Sequence, residues 1–188
     1  MIMKKFLLLA VVMSVCLTAS AQQSERTWSL TPKVGFNLAN LAGDINDNSI
    51  KFALTIGADA MYQVSPTIGI SGGLFYSRQG CELSGDRSIG LNMLNIPILA
   101  NFYVYKGLAL KTGLQPGFIL SANYKAGDTT TKVDAQTLDI AIPFGISYEF
   151  SSFVIDARYN LGLSKVNKDN GSIRNSVFQI TVGYKIPL

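Results

Sequence analysis

The last stretch of the chain reads Asn175-Ser-Val-Phe-Gln-Ile-Thr-Val-Gly-Tyr-Lys-Ile-Pro-Leu188. From Phe178 onward, every second residue is apolar, while Gln179, Thr181, Gly183 and Lys185 fill the positions between them. Successive side chains of a β-strand point to opposite faces of a sheet. The stretch therefore predicts a strand with one apolar face and one polar face.

The same stretch resembles the C-terminal signal by which the outer-membrane assembly machinery recognises barrel proteins. Thr181, Gly183, Ile186 and Leu188 occupy the positions of the polar, glycine and two hydrophobic residues of that signal. Barrel proteins usually end with an aromatic residue, where this chain has Leu188. The resemblance implies that the barrel assembly machinery is a partner of this protein.

The N-terminal segment has the features of a secretory leader. Lys4-Lys5 precedes an apolar run over residues 6–17, and the small residues Ala19-Ser20-Ala21 follow. The run is shorter than the roughly 20 residues that a membrane-spanning helix needs. We predict a signal peptide over residues 1–21 and a barrel domain over residues 22–188. Lipoprotein cleavage at Cys16 is a minor alternative, because the preceding residue is valine rather than a small residue.

Composition excludes several classes of protein. Without the leader, 14 basic and 12 acidic residues remain. This net charge of +2 is too small to indicate a nucleic-acid-binding protein. Cys81, in a predicted outer loop, is the one remaining cysteine, so an internal disulfide is excluded. No long apolar run follows the leader, which excludes a helical membrane protein. Only a closed β-barrel could then span lipid.

The mature chain divides into eight stretches of alternating polarity. They cover residues 28–39, 50–63, 68–77, 92–104, 108–121, 138–150, 153–163 and 175–188. Long polar stretches, predicted as loops at 40–49, 79–90, 125–135 and 165–174, alternate with short turns. Outer-membrane barrels have this pattern of long outer loops and short periplasmic turns. The sequence thus predicts an all-β protein, an eight-stranded antiparallel up-and-down transmembrane β-barrel after a cleaved signal peptide.

The polar face of the strands decides between a membrane barrel and a periplasmic lipocalin-like binder. It is rich in small residues, which suits the crowded interior of an eight-stranded barrel, whereas a water-exposed face would carry more Lys and Glu. Aromatic residues cluster toward both ends of the apolar face, as they do at membrane interfaces. We therefore predict that the apolar face contacts outer-membrane lipid. Pro97, on the inward face of the fourth strand, predicts a bulge or a local break in pairing.

The predicted interior contains nine charged residues. They are Lys33, Lys51, Asp59, Lys111, Asp139, Glu149, Asp156, Arg158 and Lys185. Enclosed charges must be paired or hydrated. Across the turn at Ser151-Ser152, Glu149 lies diagonal to Asp156, and Arg158 follows on the same face. We predict one polar cluster near the periplasmic end, formed by Lys33, Glu149, Asp156, Arg158 and Lys185. A structural plug is favoured over a proton or substrate path.

The sequence contains no pattern typical of an enzyme. It has no histidine, which removes His-dependent catalysis and His-containing metal sites. Asp44, Asn46 and Asn48 imitate the start of a calcium loop, but Ser49 and Thr55 stand where Gly and Glu are needed. We predict no catalytic, cofactor-binding or metal-binding residue. A pore is disfavoured because side chains fill a barrel of this size.

Five segments together resemble the PorT-like outer-membrane β-barrel family common in Bacteroidetes-type bacteria. They are Lys33-Val-Gly-Phe-Asn-Leu-Ala-Asn40, Leu94-Asn-Ile-Pro-Ile-Leu-Ala-Asn-Phe-Tyr103, Gly113-Leu-Gln-Pro-Gly117, Asp156-Ala-Arg-Tyr-Asn-Leu-Gly-Leu163 and Gly183-Tyr-Lys-Ile186. The resemblance covers nearly all of the mature chain. It implies a protein of the cell outer membrane; some relatives assist protein secretion and most have no assigned activity.

The functional expectation is a non-enzymatic integral outer-membrane barrel with a structural or surface-interaction role. An accessory component of protein secretion across the outer membrane is the first alternative, and a small-solute channel is a weaker one. The expected partners are outer-membrane lipid, the barrel assembly machinery and secretion or surface proteins.

Overall fold

A computed structural model describes residues 25–43, 48–83, 87–127, 129–132, 136–164 and 173–188. The strands within these ranges are β1 (Trp28–Gly43), β2 (Asn48–Ser65), β3 (Ile68–Leu83), β4 (Arg87–Asn95), β5 (Ile98–Tyr105), β6 (Leu108–Ala126), β7 (Thr129–Lys132), β8 (Leu138–Phe150), β9 (Phe153–Gly162), β10 (Ile173–Tyr184) and β11 (Ile186–Pro187). The predicted leader lies outside the described residues. No helix in the described ranges is long and apolar enough to cross a membrane.

The strands form a closed antiparallel ring of eight. β4 and β5 are two halves of the fourth strand, β10 and β11 are two parts of the last, and β7 is a short addition beside β6. β1 pairs with β2 on one side and with β10 on the other, where Val34 pairs with Val182. This pairing closes the barrel and confirms the predicted eight-stranded up-and-down fold.

Prolines lie at the breaks that divide the fourth strand and the last strand. The fourth strand breaks at Ile96-Pro97, as predicted from the missing N–H of proline. The Pro97 side chain is fully buried. The last strand breaks at Lys185 without losing register, since Gly183 pairs with Lys33 and Ile186 with Leu30. Pro32 lies in the facing stretch of β1 and cannot donate to the ladder.

The distribution of polarity is the reverse of that in a water-soluble barrel. Large apolar side chains lie on the outer surface, where Ile56 and Ile155 are 51% and 55% exposed. Inside, polar side chains such as Thr55 and Asp156 are fully buried. A soluble lipocalin-like barrel would instead enclose its apolar face. The outer face therefore suits lipid, as the sequence predicted.

Aromatic pairs flank the apolar band. Trp28 packs against Tyr62, with ring centroids 5.0 Å apart, and Phe153 meets Tyr184 edge to face at 5.5 Å, both near the short turns. A third pair, Phe36 and Phe52, stacks at 4.7 Å toward the opposite end. Rings at these two levels match the interface girdles of membrane barrels.

The predicted loop over residues 79–90 was wrong for most of its length, and two of the other predicted outer loops are partly strand. Most of the predicted loop at 79–90 is a paired hairpin, because β3 continues to Leu83 and β4 begins at Arg87. Cys81 therefore lies in β3 and is fully buried.

The first and third predicted loops are also partly strand, because β1 and β2 extend into the first and β7 forms within the third. These stretches lack the alternation that lipid imposes, but their backbones still pair. Asp44 and Asn46 of the calcium-like stretch and residues 165–172 of the last loop lie outside the described residues.

Candidate functional site in the barrel lumen

A buried ion-pair network surrounds Asp156 on β9. The Asp156 carboxylate contacts the Lys111 Nζ at 2.6 Å, the Lys33 Nζ at 3.4 Å and the Arg158 Nε at 2.8 Å. Lys33 also contacts Asp59, with its Nζ 2.6 Å from Oδ2. All five side chains are less than a tenth exposed. The network holds three cations and two anions, so it carries one net positive charge.

Glycines on neighbouring strands make room for these long side chains. Lys33 on β1 pairs with Gly57 on one side and with Gly183 on the other. Gly145 on β8 pairs with both Lys111 and Arg158. A side-chain carbon at Gly145 or Gly183 would collide with the methylene carbons of the facing arginine or lysine. Gly145 and Gly183 are therefore part of the charged site.

Arg158 is the most enclosed cation of the network. Its side chain is 1% exposed, and among the described residues its two Nη atoms have no hydrogen-bond partner. The guanidinium carbon lies 5.3 Å from the centre of the Phe75 ring, which is itself buried. The negative face of an aromatic ring attracts a cation at this distance. Phe75 thus stabilises the positive charge of Arg158, whose carboxylate partner Asp156 also contacts Lys33 and Lys111.

A second ion pair lies closer to the short turns. Lys185 Nζ contacts Glu149 Oε2 at 2.7 Å, and the Tyr103 hydroxyl donates to Glu149 Oε1 at 2.6 Å. Tyr103 packs in a small buried cluster with Met61 and Ala109. This pair ties the last strand of the barrel to β5 and β8.

The ion pairs divide the predicted single cluster into two groups. Lys33, Asp156 and Arg158 belong to the network, whereas Glu149 and Lys185 form the separate pair. The sequence prediction also left Asp59, Lys111 and Tyr103 out of the cluster. Asp59 and Lys111 were expected to point inward, but strand alternation does not show which inward side chains meet across the lumen.

Amide and hydroxyl side chains occupy the lumen on the side of the network that is away from the short turns. Asn37 Nδ2 donates to Ser77 Oγ at 2.8 Å. Asn160 Nδ2 donates to Gln179 Oε1 at 3.2 Å, and Asn175 donates to Gln79. Each of these polar groups is buried. The Asn160–Gln179 bond joins neighbouring strands, whereas the other two bonds reach β3 from β1 and β10. Together with the ion pairs they cross-link the wall from inside.

The inward carboxylates are held in fixed contacts. Asp139 accepts a hydrogen bond from Ser164 Oγ at 2.5 Å, and Asp59, Glu149 and Asp156 each contact a cation. No group of three or more His, Cys, Asp or Glu in the described ranges could hold a metal ion. Chemically, this arrangement compensates charge and joins strands.

The four residues of the predicted assembly signal lie at the closing seam. Thr181 and Gly183 face the lumen, whereas Ile186 and Leu188 lie on the outside. The Leu188 N–H donates to the Trp28 carbonyl at 2.9 Å, so the last residue is hydrogen-bonded to β1. The seam therefore extends to the end of the chain.

A closed eight-stranded ring with a polar interior and an apolar outer band defines an outer-membrane-type β-barrel. A family model described as "Outer membrane protein beta-barrel domain" matches residues 20–168, and the chain belongs to this family. The protein is accordingly one of the cell outer membrane, as predicted. Nothing in this match is specific to the PorT-like family.

Two solved outer-membrane barrels have the same fold. The attachment invasion locus protein Ail of Yersinia pestis is 17% identical, with a TM-score of 0.56, and the match covers 86% of this chain and 99% of Ail. Neisserial surface protein A is 15% identical, with a TM-score of 0.58 and coverage of 85% and 97%. A comparison with curated protein sequences gave no match. At these identities the likeness concerns the fold alone.

Proposed function

We propose that this protein is a non-enzymatic outer-membrane barrel that presents a rigid surface for interaction with another surface component. The observation that carries the proposal is an ordered extension opposite the short turns. β2, β3 and β6 contain 18, 16 and 19 residues, whereas about 9–11 residues suffice for a tilted membrane strand. In outer-membrane barrels the connections opposite the short periplasmic turns face the extracellular space, so we expect the extension to project there.

The extension has its own stabilising contacts. We call residues 78–83 of β3, 87–92 of β4, 121–126 of β6 and 129–132 of β7 the outer blade. Its strands pair in order, with Arg87 opposite both Leu83 and Ala126. Cys81, Leu91 and Ala122 of the blade pack with Met93 in a buried apolar cluster. A surface ordered before binding loses less conformational entropy when a partner docks.

The lumen supports a structural rather than a catalytic role. Its carboxylates are engaged by cations or a hydroxyl, and the side chains of Arg158 and Phe75 are buried inside it. The same filling argues against the small-solute channel, because conduction requires a path past these side chains.

An accessory role in protein secretion is the second candidate. A pocket of about 520 Å³ opens at the short-turn end, and Lys106, Glu149 and Lys185 line it together with Tyr105 and Tyr148. Short turns face the periplasm in outer-membrane barrels, so this pocket would meet periplasmic proteins. The PorT-like resemblance of the sequence also favours this role.

The two roles differ in what removal of the gene changes. We would compare the surface and released proteins of a deletion strain, by quantitative mass spectrometry, with those of a strain in which a two-residue Asn-Gly turn replaces residues 80–90. The surface-interaction role predicts an unchanged export profile in both strains, with loss of crosslinks to surface components in the shortened variant. Accumulation of exported proteins in the periplasm of the deletion strain would instead establish the accessory role.

A further inference from the structure

Strands β2 and β3 do not pair along part of their shared length. Ile50 pairs with Cys81 and Thr55 pairs with Ser77, but residues 51–54 of β2 and 78–80 of β3 do not pair with each other. Each segment remains paired on its other side, since Lys51 faces Ala39 and Gly80 faces Gly90. We call the opening between residues 51–54 and 78–80 the β2–β3 gap.

Local sequence explains why the ladder is interrupted here. β2 carries one residue more than β3 between the flanking pairs, which forms a bulge. Gly80 adopts a φ of 120°, a conformation that other residues rarely take. The Asn37 side chain donates to the Arg78 carbonyl at 2.8 Å, so an interior amide replaces a missing strand partner. The gap is thus built into the wall.

A pocket of about 460 Å³ occupies the gap. Phe36, Phe52, Leu54 and Arg78 contribute to it from the lipid-facing side of the barrel, whereas Lys51, Ala53, Gln79 and Leu91 contribute from the inner side. Side chains of the two faces of a continuous sheet cannot line one pocket, because they alternate across it. The pocket therefore passes into the wall from the membrane.

Both charged residues in the lining are cations. Arg78 is exposed on the outer surface, and its Nε lies 3.4 Å from the Asn92 Oδ1. Lys51 donates from Nζ to the Ile89 carbonyl at 3.1 Å, and Gly90 leaves room for that amine. A phosphate is the natural counter-ion for an arginine and a lysine placed together.

The apolar part of the lining is suited to an acyl chain, and the amides of Gln79, Asn92 and Asn123 lie beside it. The stacked rings of Phe36 and Phe52 border the opening beside Leu54 on the lipid-facing side. Leu91, on the inner side, belongs to the buried cluster that includes Cys81 and Met93. An occupant that matches both the two cations and the apolar side chains needs an anionic head and an apolar chain.

We propose that the β2–β3 gap binds a phosphate-bearing acyl lipid from the surrounding leaflet. Its phosphate would contact Arg78 and Lys51, and an acyl chain would lie along Phe36, Phe52 and Leu54. This site lies at the base of the outer blade and shares Arg78, Gln79 and Leu91 with it, but lipid binding there does not require the surface-interaction role proposed above.

The test uses the mature barrel in dodecyl maltoside micelles, with diphosphoryl lipid A as the probe and native mass spectrometry as the readout. We expect one lipid A to be retained per barrel. Arg78→Gln and Lys51→Gln, made separately, should each weaken retention at least about tenfold, as expected for loss of a charged contact. Lys106→Gln, which removes a cation from a short turn, is the matched control and should retain lipid like the parent.

Two further measurements distinguish binding of a lipid from binding of a free phosphate ion. Dephosphorylated lipid A should bind at least about tenfold more weakly than the diphosphoryl form, and inorganic phosphate should not displace bound lipid. Arg78 is exposed, so its variant should fold, as the heat-dependent gel shift of the barrel will verify. Equal retention by Arg78→Gln and Lys106→Gln, indifference to the lipid phosphates, or displacement by inorganic phosphate would each overturn the proposal.

Discussion

Gly145 on β8 lies directly opposite Arg158 on β9, and the arginine side chain passes over the glycine. A side-chain carbon at Gly145 would come within 2.5 Å of the Arg158 Cγ. The buried cation and the missing side chain therefore form one structural unit. The same relationship joins Lys33 and Gly183 at the closing seam.

Replacement of Gly145 by alanine should destabilise the barrel. The added methyl group must displace either Arg158 or the β9 backbone, and overpacking of this kind costs about 1–3 kcal/mol. Urea unfolding in detergent micelles would measure the loss of unfolding free energy. Gly72→Ala is the control, because a Cβ at Gly72 meets no atom within 4 Å. Equal losses in the two variants would contradict a specific clash.

Asp156→Asn should be among the most damaging single substitutions in the lumen. It leaves Lys33, Lys111 and Arg158 with Asp59 as the remaining anion of the network. Breaking a buried ion pair by removing one partner costs about 3–5 kcal/mol. The urea midpoint of unfolding in micelles would report the loss.

Two variants test the electrostatic origin of that loss. Asp139→Asn removes a buried carboxylate that accepts a hydroxyl hydrogen bond, so its effect should be smaller. Lys111→Met should recover part of the stability lost in Asp156→Asn, because it removes one uncompensated cation. A double variant less stable than Asp156→Asn would argue against charge imbalance as the cause.

Tyr103→Phe should weaken the ion pair near the short turns. The hydroxyl donates to the Glu149 carboxylate at 2.6 Å, and a hydrogen bond to a charged group contributes about 1.5–3 kcal/mol. Thermal unfolding in micelles would detect the change. Tyr105→Phe, two residues along on the exposed face, should have little effect. A similar shift in both variants would mean that loss of the Glu149 contact is not the cause.

Cys81 should be protected from thiol reagents in the folded barrel. It is fully buried between β2 and β4, at a position that the sequence placed in a loop. We expect slow labelling by a polyethylene-glycol maleimide until urea unfolds the barrel. A Cys81→Ser protein carrying Ser151→Cys provides the accessible control, since Ser151 lies in an exposed turn. Rapid labelling of native Cys81 would contradict the paired outer blade.

Deletion of residues 186–188 should impair assembly in the outer membrane. It removes the pairing of Ile186 with Leu30 and the hydrogen bond from Leu188 to Trp28. The proposed assembly signal loses its two hydrophobic positions in the same change. Cell fractionation and protease sensitivity would show the unassembled protein, while Leu188→Phe should assemble normally. Normal assembly of the truncated chain would argue against the signal.

Much of the fold was predictable because a strand's polarity pattern is local. Residues 28–39 and 153–163 alternate with a period of two, so both the strands and their lipid-facing sides could be identified from the sequence. Pro97 marked the break in the fourth strand for an equally local reason, the missing N–H. The long outer hairpin escaped prediction because residues 79–90 pair outside the apolar band, where no alternation of polarity is required.

The sequence by itself determined that the chain is a closed membrane barrel, which side of each strand faces lipid, and which charges are enclosed. Only the tertiary structure decided how those charges meet. Contacts between Lys33 and Asp156, or between Tyr103 and Glu149, join strands that are not neighbours in the chain, and they depend on barrel stagger and strand tilt. The β2–β3 gap has the same origin, because it arises from the register of two strands and not from the pattern of either one.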